Sequence, residues 1–197
     1  MRVHRLLAGG AVALVAALPG TVAAAATAPD SSVLVNVGSP TSPFSQNKQN
    51  EPGLALDANH PKILVAGSND EIDMEACNAG NPATCPFTPG VGVSGIYFSQ
   101  DSGKTWTQPT YQGWTARDCT GPAPCAPKVG PIGTLPKYFE NGLVSNGDPE
   151  LAFGPRRGAN GKFAWTNGSR LYYANIATNF ASTRTDEAFK GLSLIHI

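Results

Sequence analysis

Short apolar runs, separated by polar and proline-containing stops, characterise the chain from about residue 50 onward. In the stretch EPGLALDANHPKILVAGSN, Leu54–Leu56 forms one run, DANHP ends it, and Lys62–Ala66 begins the next. After a loop with two cysteines, GIYFSQDSGKTWTQPTY supplies two more strand-like runs. Stops of this kind between short apolar runs indicate β-hairpins. The pattern therefore predicts about four strands in a meander, which is the content of one propeller blade.

The same pattern returns later in the chain. NEPGLALD at Asn50–Asp57 is echoed by GDPELAFG at Gly147–Gly154, and both place a carboxylate before proline and then Leu-Ala and an apolar residue. GKFAWTNG and SRLYYANIA follow as further predicted strands. From residue 31 onward, no stretch keeps apolar residues at helical spacing for three turns. A recurring multi-strand unit predicts a radial or stacked all-β repeat.

The N-terminus has the pattern of a secretory signal peptide over residues 1–28. Arg2 and Arg5 form a basic region, Leu6–Leu18 is apolar, and small residues at Ala24–Ala28 offer a cleavage site. A membrane anchor is the alternative, but the apolar segment is shorter than the roughly 20 residues that span a bilayer. We therefore expect a secreted, extracytoplasmic chain with no membrane span after signal cleavage.

The last residues, Leu192–Ile197, read LSLIHI. They are also the translation of CTG-TCT-CTT-ATA-CAC-ATC, which resembles a transposon-end sequencing adapter. The alternative is a natural strand, since the residues alternate. We expect a non-native tail and an N-terminal fragment, and a stop codon directly after Ile197 in a finished genome would contradict this. Such a fragment leaves end strands unpaired, so we expect poor solubility.

Charge and composition narrow the class of protein. The chain has 14 basic and 14 acidic residues, 22 glycines and 17 prolines, and 14% of its residues are charged. It has no basic run, so we expect no nucleic-acid partner. This composition is typical of a turn-rich β protein.

Four cysteines, Cys77, Cys85, Cys119 and Cys125, all follow the predicted signal. An even number in an exported chain indicates disulfides, and three pairings are possible. We favour the local pairs Cys77–Cys85 and Cys119–Cys125, because each closes a loop rich in proline and glycine. Zinc is the competing interpretation, but the spacings are not C-x-x-C and no histidine lies nearby.

The octet SQDSGKTW, Ser99–Trp106, reads as a turn between two strands. Asp101 can accept backbone hydrogen bonds, and Gly103 supplies the positive φ that such a turn needs. Ser99 and Thr105 can satisfy the remaining groups, while the ring of Trp106 can pack between sheets. A nucleophilic serine needs a neighbouring histidine, and His4, His60 and His196 fit that role badly.

This octet resembles the Asp box, S-x-D-x-G-x-T-W, of the sialidase-type (BNR-repeat) propeller families, including secreted bacterial sialidase-like proteins. The five defining positions all match, at Ser99, Asp101, Gly103, Thr105 and Trp106. The resemblance extends from about Asn50 to Ala177. It implies an all-β, sialidase-like Asp-box β-propeller of which about the first two blades are present. In the family, the box caps the hairpin between the third and fourth strands of a blade, away from the catalytic face.

The resemblance implies a secreted sialidase-like propeller that meets extracellular glycans or glycoproteins. The full-length form would be an exo-glycosidase, and this fragment itself would be inactive. Sialidases open the first blade with R-I-P-x-L, and here Pro52 and Leu54 match while Asn50 stands in place of the arginine. Asn69 or Asp70 stands where a second arginine is usual. Neither supplies the guanidinium fork that grips a carboxylate substrate. The alternative function is a non-catalytic propeller for ligand binding or surface scaffolding.

One acidic cluster is a candidate ligand or metal loop. It lies in SNDEIDMEAC and contains four carboxylates within six residues, Asp70, Glu71, Asp73 and Glu75. The loop is either a solvated segment pinned by Cys77, a calcium site built from hard oxygen ligands, or the source of one glycosidase carboxylate. Calcium is the only candidate cofactor, and no catalytic residue is assigned.

These features divide the chain into six segments. They are a signal peptide (1–28), a leader strand at Val33–Val37 with a linker (29–49), a first blade with the Asp box (50–112), a loop rich in cysteine, proline and glycine (113–146), a partial second blade (147–191), and the adapter-derived tail (192–197).

Overall fold

The computed structural model describes residues 32–36, 49–78, 81, 83, 85, 87–121, 125–136 and 144–178. The predicted signal peptide and the predicted tail lie outside these residues. The described chain is all-β with antiparallel sheets, which confirms the expected structural class. Within the described residues, no helix is long and apolar enough to cross a membrane.

Nine strands form four small antiparallel sheets. The first sheet has the order β1-β2-β3, and the others pair β4 with β5, β6 with β9, and β7 with β8. The strands are β1 Gln49–Leu56, β2 Leu64–Asp70, β3 Ser94–Ser99, β4 Tyr111–Thr115, β5 Lys128–Ile132, β6 Val144–Ser145, β7 Glu150–Arg157, β8 Phe163–Ala174 and β9 Ala177–Thr178.

Two isolated β-bridges lie along the edge of β3 where a fourth strand would pair. Phe98 pairs with Thr107 through two backbone hydrogen bonds of 2.9 and 2.8 Å, and Gly95 pairs with Thr134. In an uninterrupted antiparallel register, Gly95 would face Thr110, which is 24 residues before Thr134. The first sheet is therefore a three-strand meander, and an insertion separates the two isolated bridges along the free edge of β3.

The insertion is a β-hairpin rather than the loop that we expected at residues 113–146. It consists of β4 and β5, with Trp114 opposite Val129, and the disulfide Cys119–Cys125 closes its turn. The second disulfide joins Cys77 to Cys85, so both favoured pairings are present. Turn residues dominate this stretch of sequence, and they concealed two five-residue strands.

Two other expectations at the strand level were wrong. Residues 32–36 form no strand, and the exposed side chains of Val33 and Leu34 lack the burial that stabilises one. GKFAWTNG and SRLYYANIA belong to a single strand, β8, which is 12 residues long. A register shift accounts for the apparent break, because Pro155 pairs with Ser169 while the next residue, Arg156, pairs with Ala164.

The first sheet packs against the β7–β8 sheet through close backbone approach. Gly53 and Gly67 are direct partners in β1 and β2, and the side chain of Leu151 lies over both. A Cβ atom at Gly67 would lie 2.8 Å from Leu151 Cδ1 and 3.1 Å from the Tyr173 ring. The surrounding core contains Val65, Ile96, Leu135 and Tyr173, with Phe98, Tyr111, Leu151, Phe153 and Leu171 packed against it. Two small residues thus let the sheets meet.

Gly67→Ala tests this close approach. The added methyl group displaces Leu151 or Tyr173, so we expect a loss of about 1–3 kcal/mol of unfolding free energy, typical of an overpacked core. Gly130→Ala is the matched control, because its Cβ would lie 3.5 Å from Thr115 Cγ2, an ordinary contact. Urea unfolding followed by tryptophan fluorescence measures both variants. Equal stabilities for the two would contradict the packing described here.

Candidate functional site

The Asp101 carboxylate organises the turn that follows β3. It accepts hydrogen bonds from the Ser99 hydroxyl (2.9 Å), the Thr105 amide (2.9 Å) and the Thr105 hydroxyl (2.6 Å). The Gly103 amide donates to Ser99 Oγ at 2.8 Å. Four of the five Asp-box positions therefore bind one another within the turn.

Backbone conformation and the tryptophan complete this turn. Ser102 and Gly103 both have a positive φ, of 65° and 84°. A positive φ favours glycine, which explains the glycine at position 103. Trp106 Nε1 donates to the Gly103 carbonyl at 3.0 Å, so the half-buried ring covers its own turn. The Ser102 amide donates to the carbonyl of Lys62, which ties the box to the chain between β1 and β2.

These contacts stabilise the ionised form of Asp101. The Thr105 hydroxyl is the largest influence, followed by the Thr105 amide, and together they lower the pKa of Asp101 to about 2. The serines of the box serve the turn, since Ser99 already binds Asp101 and Gly103. The box is thus an architectural element.

The acidic loop after β2 is not the solvated segment that was one of our three interpretations. Asp70 and Asp73 are fully buried, Glu75 is 2% exposed, and Glu71 is half-buried. A buried carboxylate needs hydrogen-bond donors or a positive charge to compensate its lost hydration. Each of the three buried carboxylates obtains such donors from the chain itself.

Asp70 lies at the end of β2 and binds four donors. They are Tyr97 Oη (2.6 Å), Gln49 Nε2 (2.8 Å), Gln108 Nε2 (2.8 Å) and the Ile72 amide (3.0 Å). Burial, and then the neighbouring charge of Asp70, raise the pKa of Tyr97, which keeps the phenol protonated as a donor. Asp70 therefore joins β1, β3 and the segment after the Asp box.

Asp73 anchors the inserted hairpin. Its Oδ2 accepts from the Gly133 amide (2.9 Å), the Thr134 amide (2.9 Å) and the Thr134 hydroxyl (2.6 Å). Its Oδ1 binds Arg117 Nε at 2.9 Å and Nη2 at 2.6 Å. One carboxylate thus binds the arginine that follows β4 and the two residues that follow β5, and it fixes Thr134 beside β3.

Glu75 joins the acidic loop to residues 87 and 88. Its carboxylate accepts from the Phe87 amide (2.6 Å), the Thr88 amide (3.0 Å) and the Thr88 hydroxyl. The Cys77–Cys85 disulfide spans the same segment. A second apolar cluster lies beneath it, formed by Met74, Val91, Val93 and Ala116 with Phe87 packed against them.

The three buried carboxylates therefore have a structural role. Their oxygen atoms accept hydrogen bonds from amides, hydroxyls and a guanidinium. A metal ligand or a general base instead presents a free lone pair. Among the described residues, no group of three or more His, Cys, Asp and Glu side chains could hold a metal ion.

Two carboxylates, Glu51 and Asp148, interact with each other beside Asn69. Glu51 and Asp148 begin the two copies of the repeat, and both have a positive φ, of 53° and 52°. Asn69 joins them, since its Nδ2 donates to Glu51 Oε2 (2.9 Å) and its Oδ1 accepts from the Asp148 amide (2.7 Å). A hydrogen bond with Asp148 raises the pKa of Glu51. The side chain of Asn50 is exposed.

A contact that the sequence did not indicate joins the turn between β1 and β2 to β8. Asp57 is 4% exposed and accepts hydrogen bonds from the Ser169 hydroxyl, His60 Nδ1 (3.1 Å) and the Asn59 amide (2.9 Å). Burial opposes ionisation of Asp57, but these hydrogen bonds outweigh it and lower its pKa. The residues lie 112 positions apart in the chain, so no local pattern could reveal the contact.

The chain was also compared with known proteins. No protein-family model matches it, and neither a curated protein nor a solved structure shows a match.

Removal of the Asp73 carboxylate tests its anchoring role. Asp73→Ala leaves two buried amides and Arg117 without their acceptor, so we expect a loss of about 3–5 kcal/mol in unfolding free energy. Asp118→Ala is the control, because that side chain is 84% exposed and lies 3.7 Å from the exposed Lys128 amine. Chemical denaturation of both variants provides the measurement. A midpoint unchanged by Asp73→Ala would show that the carboxylate is dispensable.

The Asp box predicts a specific pH dependence. Because the folded pKa of Asp101 is about 2, below the unfolded value near 3.9, its stabilising contribution is complete above the unfolded value and is lost as pH falls through about 2. Thr105→Ala removes the strongest cause of the shift and should raise the midpoint. Carbon-detected NMR titration of the Asp101 carboxyl measures both. A wild-type midpoint near 3.9 would refute this view of the turn.

Proposed function

We propose that this chain belongs to an exported, sialidase-like Asp-box β-propeller that binds extracellular glycans without hydrolysing them. The observation that carries the non-catalytic part is the state of the acidic loop, whose buried carboxylates bind donors of the chain itself. The glycan part rests on the resemblance to sialidase-type proteins.

The propeller proposal is supported by the arrangement of strands. Three strands and the bridging residue Thr107 form a meander in which the Asp-box turn connects the third and fourth positions. The repeat beginning at Asp148 supplies a second antiparallel pair that packs face to face on the first. Face-to-face packing of successive meanders is how propeller blades associate.

Export is supported by the two disulfides. Bonds of this kind persist in oxidising compartments and are rare in the cytosol. They also fix the two irregular regions of the first unit, namely the acidic loop and the tip of the inserted hairpin. A rigid hairpin is a suitable platform for ligand contact, because little entropy is lost when it binds.

The inserted hairpin offers one aromatic residue for a sugar ring. Trp114 is 40% exposed, which is more than expected of a residue that fills a blade interface. Gln112, Trp114, Val129 and Pro131 share the exposed face of β4 and β5. A flat indole beside an amide suits a pyranose ring, because the ring presents an apolar C–H face and hydroxyl groups together.

Hydrolysis is the second candidate, and it rests on the resemblance to sialidases. It requires a catalytic carboxylate and an arginine grip from residues beyond those described. The positions that match the family arginines hold Asn50 and either Asn69 or Asp70, and Asn69 already binds Glu51 and Asp148.

A paired binding and turnover assay separates the two functions. We expect the chain to bind immobilised sialylated or neutral glycans and to release no fluorophore from aryl glycosides. Trp114→Ala should weaken binding at least about tenfold, typical of a removed aromatic anchor. Trp165→Ala is the matched control, since its exposure is 42%. Fluorophore release would contradict the non-catalytic assignment, and lack of binding to any glycan would contradict the ligand class.

A further inference from the structure

One face of the first sheet is apolar and open along β1 and β2, whereas Tyr97 on the β3 part of that face is buried. Leu54 and Leu56 alternate along β1 and are 63% and 52% exposed. Their partners on β2, Ala66 and Leu64, are half-buried on the same face. The opposite face of this sheet is the one that packs against β7 and β8. A contiguous patch of exposed apolar side chains is a feature of interaction surfaces.

The internal repeat indicates what this open face is built to contact. When NEPGLALD is aligned with GDPELAFG, Leu54 corresponds to Leu151 and Leu56 to Phe153. Leu151 and Phe153 are the β7 residues that pack on the first sheet. The first repeat therefore exposes the same positions that the second repeat uses as an interface.

The receiving surface of that interface also has a counterpart in the second repeat. On the first sheet it consists of two direct pairs, Gly53 with Gly67 and Ala55 with Val65. The same register on the second sheet gives the pairs Glu150 with Ala174 and Ala152 with Tyr172. Ala152 and Glu150 are exposed on the face of β7 that points away from the first sheet.

Side-chain volumes on the two open faces compensate each other. The protruding face of the first repeat is smaller than its counterpart, with Leu56 in place of Phe153 and Ala66 in place of Tyr173. The receiving face of the second repeat is larger, with Glu150 in place of Gly53, Ala174 in place of Gly67 and Tyr172 in place of Val65. The smaller side chains of the first repeat's open face would thus meet the larger side chains of the second repeat's open face. Opposite changes in side-chain volume of this kind are also tolerated in protein cores.

We infer that the Leu54–Leu56 face of one chain packs on the Ala152–Tyr172 face of a second copy of this chain. This contact repeats, between molecules, the contact between the two sheets within one molecule. It is heterologous, because each copy contributes a different surface, and it can extend into a ring or an open string. The inference depends on the internal repeat and is independent of the proposed glycan binding.

Analytical ultracentrifugation of the full chain tests self-association. We expect the weight-average mass to rise with concentration, and Leu54→Gln/Leu56→Gln to reduce the association constant at least about tenfold. Val129→Gln is the matched control, because this valine is apolar, 60% exposed and on the separate hairpin. Both sets of substitutions are at exposed positions, and thermal melts verify that the variants fold. A wild-type chain that stays monomeric, or a double variant that associates like wild type, overturns the inference.

A mixing experiment tests whether the contact is heterologous. Ala152→Arg blocks the receiving face and leaves the leucine face intact, whereas Leu54→Gln/Leu56→Gln does the reverse. We expect each variant alone to be monomeric and an equimolar mixture to form dimers that do not grow further. Dimers of Ala152→Arg alone would indicate a two-fold contact between identical leucine faces. That result, or a mixture without dimers, overturns the inference.

Discussion

The buried Asp73 carboxylate binds Arg117, which follows β4, and Gly133 and Thr134, which follow β5, and so brings Thr134 to the place beside β3 where Thr110 would otherwise lie. Without this acceptor, the amides of Gly133 and Thr134 and the guanidinium of Arg117 would lose their shared partner. The insertion is therefore accommodated by one charged group with five donor contacts.

Asp70 and Glu75, which lie on either side of Asp73 in the sequence, are also buried carboxylates that bind donors from separate segments of the chain. Asp70 joins β1 to β3, and Glu75 holds the segment closed by the Cys77–Cys85 disulfide. An irregular loop has many unpaired backbone amides, and buried carboxylates satisfy them at short range. The acidic residues of this loop thus satisfy backbone amides of the loop and of the segments packed against it.

Local chemistry could be predicted from the sequence, and long-range chemistry could not. The Asp-box turn, the disulfide pairs and the first two strands follow from residues that are near neighbours in the chain. The roles of Asp70, Asp73 and Glu75 do not, because the partners of Asp73 lie 44 to 61 positions away and two of its donors are backbone amides. The hairpin β4–β5 was missed for a related reason, since glycine and proline within short strands resemble a loop.

The central claim is that the acidic loop is an internal anchor that the chain itself saturates. The most direct test is a crystal structure of the full chain grown in the presence of calcium. We predict that the amides of Gly133 and Thr134 and the side chain of Arg117 contact Asp73, and that Tyr97 contacts Asp70. A calcium ion coordinated by Asp70, Asp73 or Glu75 in place of these donors would contradict the account.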